Sequence, residues 1–262
     1  MTKSIQLGNI TIEYFLNGEN NSETILFVHG LGANLSQFKH QQNYFSKNFK
    51  VLSVNLRGHG NTTLTHALTS NDVELYKIAD DITTLLDRLG ISKVHYVGNS
   101  MGGNVGFEIM KTNPNILKTI TTYGTTGQLN TSSIALKIMK FLHKIITPTM
   151  RGNLSKIAGQ TNESKAKIKE MMLKSEKATI LSFIPILANF DYLEVIKKSK
   201  IPCMIIKGEK DKEINNVIYT TIREFKNRGN FELQEINGAG HFANLDNPYY
   251  FNKIIEEYIL HN

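Results

Sequence analysis

The chain has 262 residues, 40% of them hydrophobic and 20% charged, which is enough apolar material for one large core with an insertion. Its net charge of +7 reads as a lysine-rich solvated surface, because the basic stretches Lys165–Lys169 and Lys197–Lys200 carry no accompanying nucleic-acid motif; no nucleic-acid partner is expected. A single cysteine, Cys203, excludes an internal disulfide, and no apolar run reaches the ~18 residues of a membrane span, so a cytoplasmic protein without stable membrane insertion is expected.

In chain order, Ile5 to Leu16 alternates around Gly8-Asn9 and predicts a hairpin. Thr24–Val28 and Lys50–Val54 are continuous apolar runs, as expected of strands buried on both faces. Asn71 to Leu89 repeats Leu75, Ile78, Ala79, Ile82, Leu85, Leu86 and Leu89 at helical spacing, with Asn71 and Glu74 as a capping box and Gly90 as its stop. Val94–Val97 predicts a strand, Met101–Lys111 a helix ending before Pro114, and Leu117–Tyr123 another strand. After a long interval come the strand Cys203–Ile206, a helix near Ile214–Phe225, the strand Phe231–Ile236 and a helix from Pro248 to Leu260. This alternation predicts an α/β fold: a mainly parallel sheet with helices on both faces and an antiparallel hairpin at one edge.

Residues 127–190 break the rhythm. They contain no convincing strand and read as helices at Ser132–Ile146, Glu163–Leu173 and Ala178–Phe190, the last kinked by Pro185. The expected organisation is a core of residues 1–126 and 191–262 with a helical insertion over 127–190. The helix at Ser132–Ile146 has an apolar face and Lys137, Lys140, His143 and Lys144 between; the expectation is that the apolar face packs inward over a pocket, the other reading being a membrane-surface helix.

Gly98-Asn99-Ser100-Met101-Gly102-Gly103 places a serine between glycines where a buried strand meets a helix, the context of a nucleophile elbow. A serine hydroxyl is un-ionised near neutral pH and needs a base, which in turn needs an acid to orient it. In such folds they follow the serine in the order acid, then histidine, on loops after strands. His241, in Gly238-Ala239-Gly240-His241-Phe242, fits the base, and Asp211 fits the acid, with Glu209 and Glu213 near enough to compete. The backbone N–H of Met101 and that of Leu31, in His29-Gly30-Leu31-Gly32, are the expected oxyanion donors. The other histidines have no metal-ligand spacing, and no phosphate-binding glycine loop is present.

These stretches, with Asn55-Leu56-Arg57-Gly58-His59-Gly60 and Gly208-Glu209-Lys210-Asp211, resemble the α/β-hydrolase superfamily across essentially the whole chain outside the insertion. The resemblance favours Asp211 over its glutamate neighbours and implies an eight-stranded sheet, a helical cap formed by the insertion, and no cofactor; no metal is expected, on the histidine spacing above. Asn55 and Thr62 stand where many relatives carry Asp and Ser, and Arg57 and His59 are expected to be turn and surface residues. The expected reaction is hydrolysis of an ester, thioester or lactone by a carboxylesterase-like triad of Ser100, Asp211 and His241. Ile138, Leu142, Phe183, Leu187 and Phe242 are the expected pocket residues for a small-molecule substrate with an apolar part. Carbon–carbon hydrolysis of vinylogous diketones, acyl transfer or perhydrolysis through the same acyl-enzyme, and a non-catalytic receptor on the same fold are the alternatives; against the diketone reading, Phe242 stands where many of those enzymes carry Trp.

Overall fold

The alternation at the start of the chain forms the antiparallel pair β1 (Thr2–Leu7) and β2 (Ile10–Asn17) in the computed structural model, which describes residues 1–262, the side chain of Ser70 excepted. Strands β3 (Thr24–Val28), β4 (Lys50–Val54), β5 (Thr63–Leu64), β6 (Val94–Asn99) and β7 (Leu117–Tyr123) follow. Past the insertion ribbon, β8 (Gln128–Asn130) with β9 (Asn189–Asp191), come β10 (Cys203–Gly208) and β11 (Phe231–Ile236). The main sheet runs β1-β2-β4-β3-β6-β7-β10-β11, with the two-residue β5 pairing β2. From β4 to β11 every neighbour pair is parallel, and the antiparallel strands sit at one edge.

The continuous apolar runs have a simple cause: alternate side chains serve two cores. Leu26 and Val28 of β3 pack with helices α2 (Leu75–Arg88) and α3 (Met101–Thr112) on one face. Ile25 and Phe27 pack on the other, with α1 (Lys39–Phe45) and the final helix, whose buried residues include Phe251 and Ile255. Phe27 is fully buried with Phe38 and Phe45 rings 5.2 and 5.9 Å away; truncating such a residue to Ala typically costs about 3–5 kcal/mol.

The insertion carries α4 (Ser133–Ile145), α5 (Pro148–Ser155), α6 (Asn162–Lys174) and α7 (Lys177–Ala188). Its two ends leave the core side by side, as β8 pairs antiparallel with β9; the expectation of no strand in 127–190 missed this ribbon, whose three-residue strands are too short to show a period. The remaining helices are α8 (Leu193–Lys198), the single turn α9 (Lys212–Asn215), α10 (Tyr219–Arg228), the single turn α11 (Ala243–Asp246) and α12 (Pro248–His261). The expected helix near Ile214–Phe225 is therefore two helices.

Other local expectations are corrected. No Asn71–Glu74 capping box forms; the Asp72 carboxylate instead accepts from the Thr69 N–H at 2.9 Å, and Glu74 caps α2 without a side-chain bond. Arg57 and His59 are buried, not surface residues. The Arg57 guanidinium holds Asp81 through two bonds of 2.8 and 2.7 Å, a geometry that lets a charge pair survive burial. Asn55 and Thr62 are joined to the same turn: Leu35 N–H donates to Asn55 Oδ1 at 2.7 Å, and the Thr62 hydroxyl donates to the Asn55 carbonyl at 2.7 Å. Among the described residues no helix is long and apolar enough to cross a membrane.

Candidate active site

Ser100 stands between the end of β6 and the start of α3 with φ 52° and ψ −121°, a conformation that strains a residue bearing a side chain by roughly 1–3 kcal/mol. The turn is held from both sides. Ser100 N–H donates to Tyr123 O at 2.9 Å, and the Thr125 hydroxyl donates to Ser100 O at 3.0 Å. The glycines permit close approach: a Cβ on Gly98 would lie 2.6 Å from Gly102 O, and one on Gly102 would fall on the carbonyl oxygen of Val28. The amide-rich first turn of α3 is thereby pressed against the carboxyl ends of β3 and β6, where open α/β sheets place ligands.

Asp211 and His241 follow β10 and β11. The Nδ1–H of His241 donates to Asp211 Oδ2 at 2.9 Å, which leaves the lone pair on Nε2. Asp211 is buried and its other oxygen accepts from Ile214 N–H at 3.4 Å, so the carboxylate is fixed by the turn it caps. Of the competing acids, Glu209 is turned to Lys210 and to Gly238 N–H, 2.7 and 2.8 Å away, and Glu213 is exposed on α9; neither bonds the imidazole.

A buried amide joins the serine turn to the histidine loop. Asn99 Nδ2 donates to Tyr123 O at 3.2 Å and to His241 O at 3.1 Å, while its Oδ1 accepts from Gln37 Nε2 at 3.0 Å. Gln37 Nε2 also reaches the Tyr123 hydroxyl at 3.0 Å, and Asn244 Nδ2 donates to Gln37 O at 3.0 Å. Gly124, at φ +58°, leaves room for the imidazole: a Cβ there would sit 2.9 Å from His241 Cε1. Sequence reading singled out none of Gln37, Gly124 or Asn244, and left Asn99 without a physical role. Among the described residues the Ser100 hydroxyl has no hydrogen-bond partner; bonds of this kind often tighten only once substrate is present.

The His29–Asn34 loop runs against the serine, since a Cβ on Gly30 would lie 2.9 Å from Ser100 Cβ. Two buried imidazoles shape the loop. His29 Nδ1–H donates to Gly30 O at 2.8 Å and its Nε2 accepts from Leu56 N–H at 3.1 Å. His59 Nε2 accepts from Gly32 N–H at 3.1 Å. Burial lowers their pKa values to about 3 and about 4, so both are neutral and able to accept. The N–H groups of Leu31 and Met101 have no protein acceptor among the described residues.

Asp211 and His241 open on a cavity of about 460 Å³ lined also by Leu154, Ile157, Gln160 and Lys212. None of the five expected pocket residues lines it. Ile138 and Leu142 are exposed, because α4 turns its apolar face outward and not over the site as expected. Phe183 is fully buried with its ring 5.7 Å from that of His59, Leu187 packs on the sheet-facing core, and Phe242 is buried with Ala33, Ile168, Met171 and Leu245. Asp246, another unforeseen residue, bridges the histidine loop and the insertion: Oδ2 accepts from Gly240 N–H at 2.8 Å, and Oδ1 from Gln160 N–H at 2.7 Å and the Ser164 hydroxyl at 2.5 Å.

Comparison with known proteins agrees with this architecture. The chain is 31% identical over 119 residues to (E)-2-((N-methylformamido)methylene)succinate hydrolase of Acinetobacter baylyi, a match spanning 45% of the chain and 43% of that protein. It is 22% identical to 3-oxoadipate enol-lactonase 2 of the same organism, over 95% of the chain and 92% of the relative. A thermophilic esterase from Thermogutta terrifontis superposes with a TM-score of 0.84 at 18% identity, covering 99% of this chain and 98% of that one. The family model described as alpha/beta hydrolase fold matches residues 23–156, just over half of the chain, and with that match the protein belongs to the α/β-hydrolase family.

Proposed function

We propose that the protein is a serine hydrolase that cleaves a carboxylic ester, thioester or lactone through an acyl-enzyme on Ser100. The observation that carries this reading is the 2.9 Å contact between His241 Nδ1 and Asp211 beside a serine held at positive φ. His241 Nε2 takes the Ser100 proton as Oγ attacks the carbonyl carbon, and the carbonyl electron pair moves onto oxygen. Asp211 fixes the tautomer and stabilises the imidazolium. The N–H groups of Leu31 and Met101 receive the oxyanion, an interaction worth ~10²–10³ in rate for each donor. Collapse of the tetrahedral species expels the alcohol or thiol, protonated by His241. Water, giving its proton to the same imidazole, then attacks the acyl-enzyme and frees the acid.

The insertion over 127–190 serves as the cap, and Leu154 and Ile157 offer an apolar wall to part of the substrate. The enol-lactonase and esterase names of the similar proteins favour acyl–oxygen substrates, and a carboxylesterase activity is the reading adopted. A fluorophosphonate probe followed by mass spectrometry tests it: the label is expected on Ser100. An unlabelled Ser100 in folded protein overturns the proposal. Turnover of p-nitrophenyl esters set against lactones and vinylogous diketones then separates the substrate classes.

A further inference from the structure

Helix α4 wears its amphipathicity inside out. Ile134, Ile138, Phe141, Leu142 and Ile145 recur at three- and four-residue spacing and form one face, yet each is between 47% and 71% exposed. The side toward α7 is made instead by half-buried residues such as Ala135, Leu136, His143 and Ile146. The exposed apolar run continues through Met150, Leu154 and Ile157. Five adjoining large apolar side chains on one open helix face mark an interaction surface, not scattered surface residues.

Charge identifies the occupant. The chain has no Asp or Glu between Glu108 and Glu163, while residues 127–162 carry Lys137, Lys140, Lys144 and Lys156, besides Arg151, which is buried against Met172 O and Ser175 O. Lys137 and Lys144, both exposed and two turns apart, line one edge of the apolar face. A second copy of the chain docking face to face would set these cations against their own images. An anionic lipid surface takes both features together: apolar side chains enter the acyl boundary and the lysines reach the headgroup phosphates.

We propose that α4 docks the protein peripherally on an anionic bilayer, with Ile134, Phe141 and Ile145 in the interface and Lys137 and Lys144 on the phosphates. This inference stands apart from the chemistry proposed for Ser100, and its test reads binding alone. Purified full-length protein is centrifuged with sucrose-loaded vesicles of phosphatidylcholine, with or without about 30 mol % phosphatidylglycerol. The protein is expected to pellet with the anionic vesicles at least tenfold more strongly than with the neutral ones, and less as salt rises. Lys137→Gln with Lys144→Gln is expected to weaken binding roughly 25-fold, about fivefold for each lysine. Phe141→Ser with Ile145→Ser is expected to weaken it at least tenfold while leaving the thermal midpoint unchanged, since both side chains are exposed. Absence of pelleting, or equal pelleting of wild type and both variants, overturns the proposal. So does sedimentation of the free protein as a dimer that the Phe141→Ser/Ile145→Ser variant converts to monomer.

Discussion

Asn99 Nδ2 and the carbonyl oxygen of His241 meet at 3.1 Å although the two residues are 142 positions apart in sequence. The bond makes the residue before the serine a support of the histidine loop. Asn99→Leu keeps the volume but strips partners from His241 O, Tyr123 O and Gln37 Nε2. It is expected to lower stability by about 1–3 kcal/mol, the usual effect of leaving a buried polar group unpaired. It is also expected to cut kcat roughly 10- to 100-fold with little change in KM, since small misplacement of a base acts on the chemical step. Steady-state kinetics on p-nitrophenyl acetate and denaturant melts check both; unchanged kcat alongside lowered stability would leave Asn99 a purely structural residue.

The backbone of Ser100 yields a second test, independent of substrate. At φ 52° a glycine is at ease and an alanine is not. Ser100→Gly and Ser100→Ala are both expected to abolish turnover, but the glycine variant is expected to be more stable than the alanine variant by ~1 kcal/mol. Comparing their denaturant midpoints reads the strain directly.

Asp211 and Glu209 differ in what they touch, and activity should follow. Asp211→Asn is expected to reduce kcat by up to ~10⁴, because the imidazole loses the partner that sets its tautomer. Glu209→Gln, which affects only the contacts with Lys210 and Gly238, is expected to stay within about twofold of wild type, as is usual for an exposed charge.

The two buried imidazoles make stability depend on pH. Their folded pKa values, about 3 for His29 and about 4 for His59, lie below the ordinary value of 6.5 because burial disfavours the cation. Below pH 6.5 the unfolded chain therefore binds protons that the folded chain refuses. Stability contributed by these groups is complete above that pH and falls as pH drops toward 4, by up to about 1.4 kcal/mol per pH unit for each imidazole. Denaturant midpoints at pH 4, 5, 6 and 7 should show this slope, and His59→Asn should flatten it.

The limits of sequence reading follow physical lines. The strands were legible because two-sided burial writes an unbroken apolar run, as in Thr24–Val28. Asp211 and His241 could be picked out by chain order and by their position after strands, and the structure sets them 2.9 Å apart. The network of Gln37, Asn99 and Asn244 was not legible, because side-chain amides that meet across 62 and 207 residues leave no period or local motif. Helix α4 failed differently. Periodicity says that Ile134, Ile138 and Phe141 share a face, but not whether the rest of the chain covers it.

Asp246 has a mechanical consequence. The insertion is moored at its two ends by the β8–β9 ribbon and in its middle by a carboxylate that grips Gln160 and Ser164 on one side and Gly240 on the other. The residue adjoining Gly240 is His241 itself. One carboxylate thus ties the middle of the insertion to the loop that carries His241, two segments about 80 residues apart in sequence.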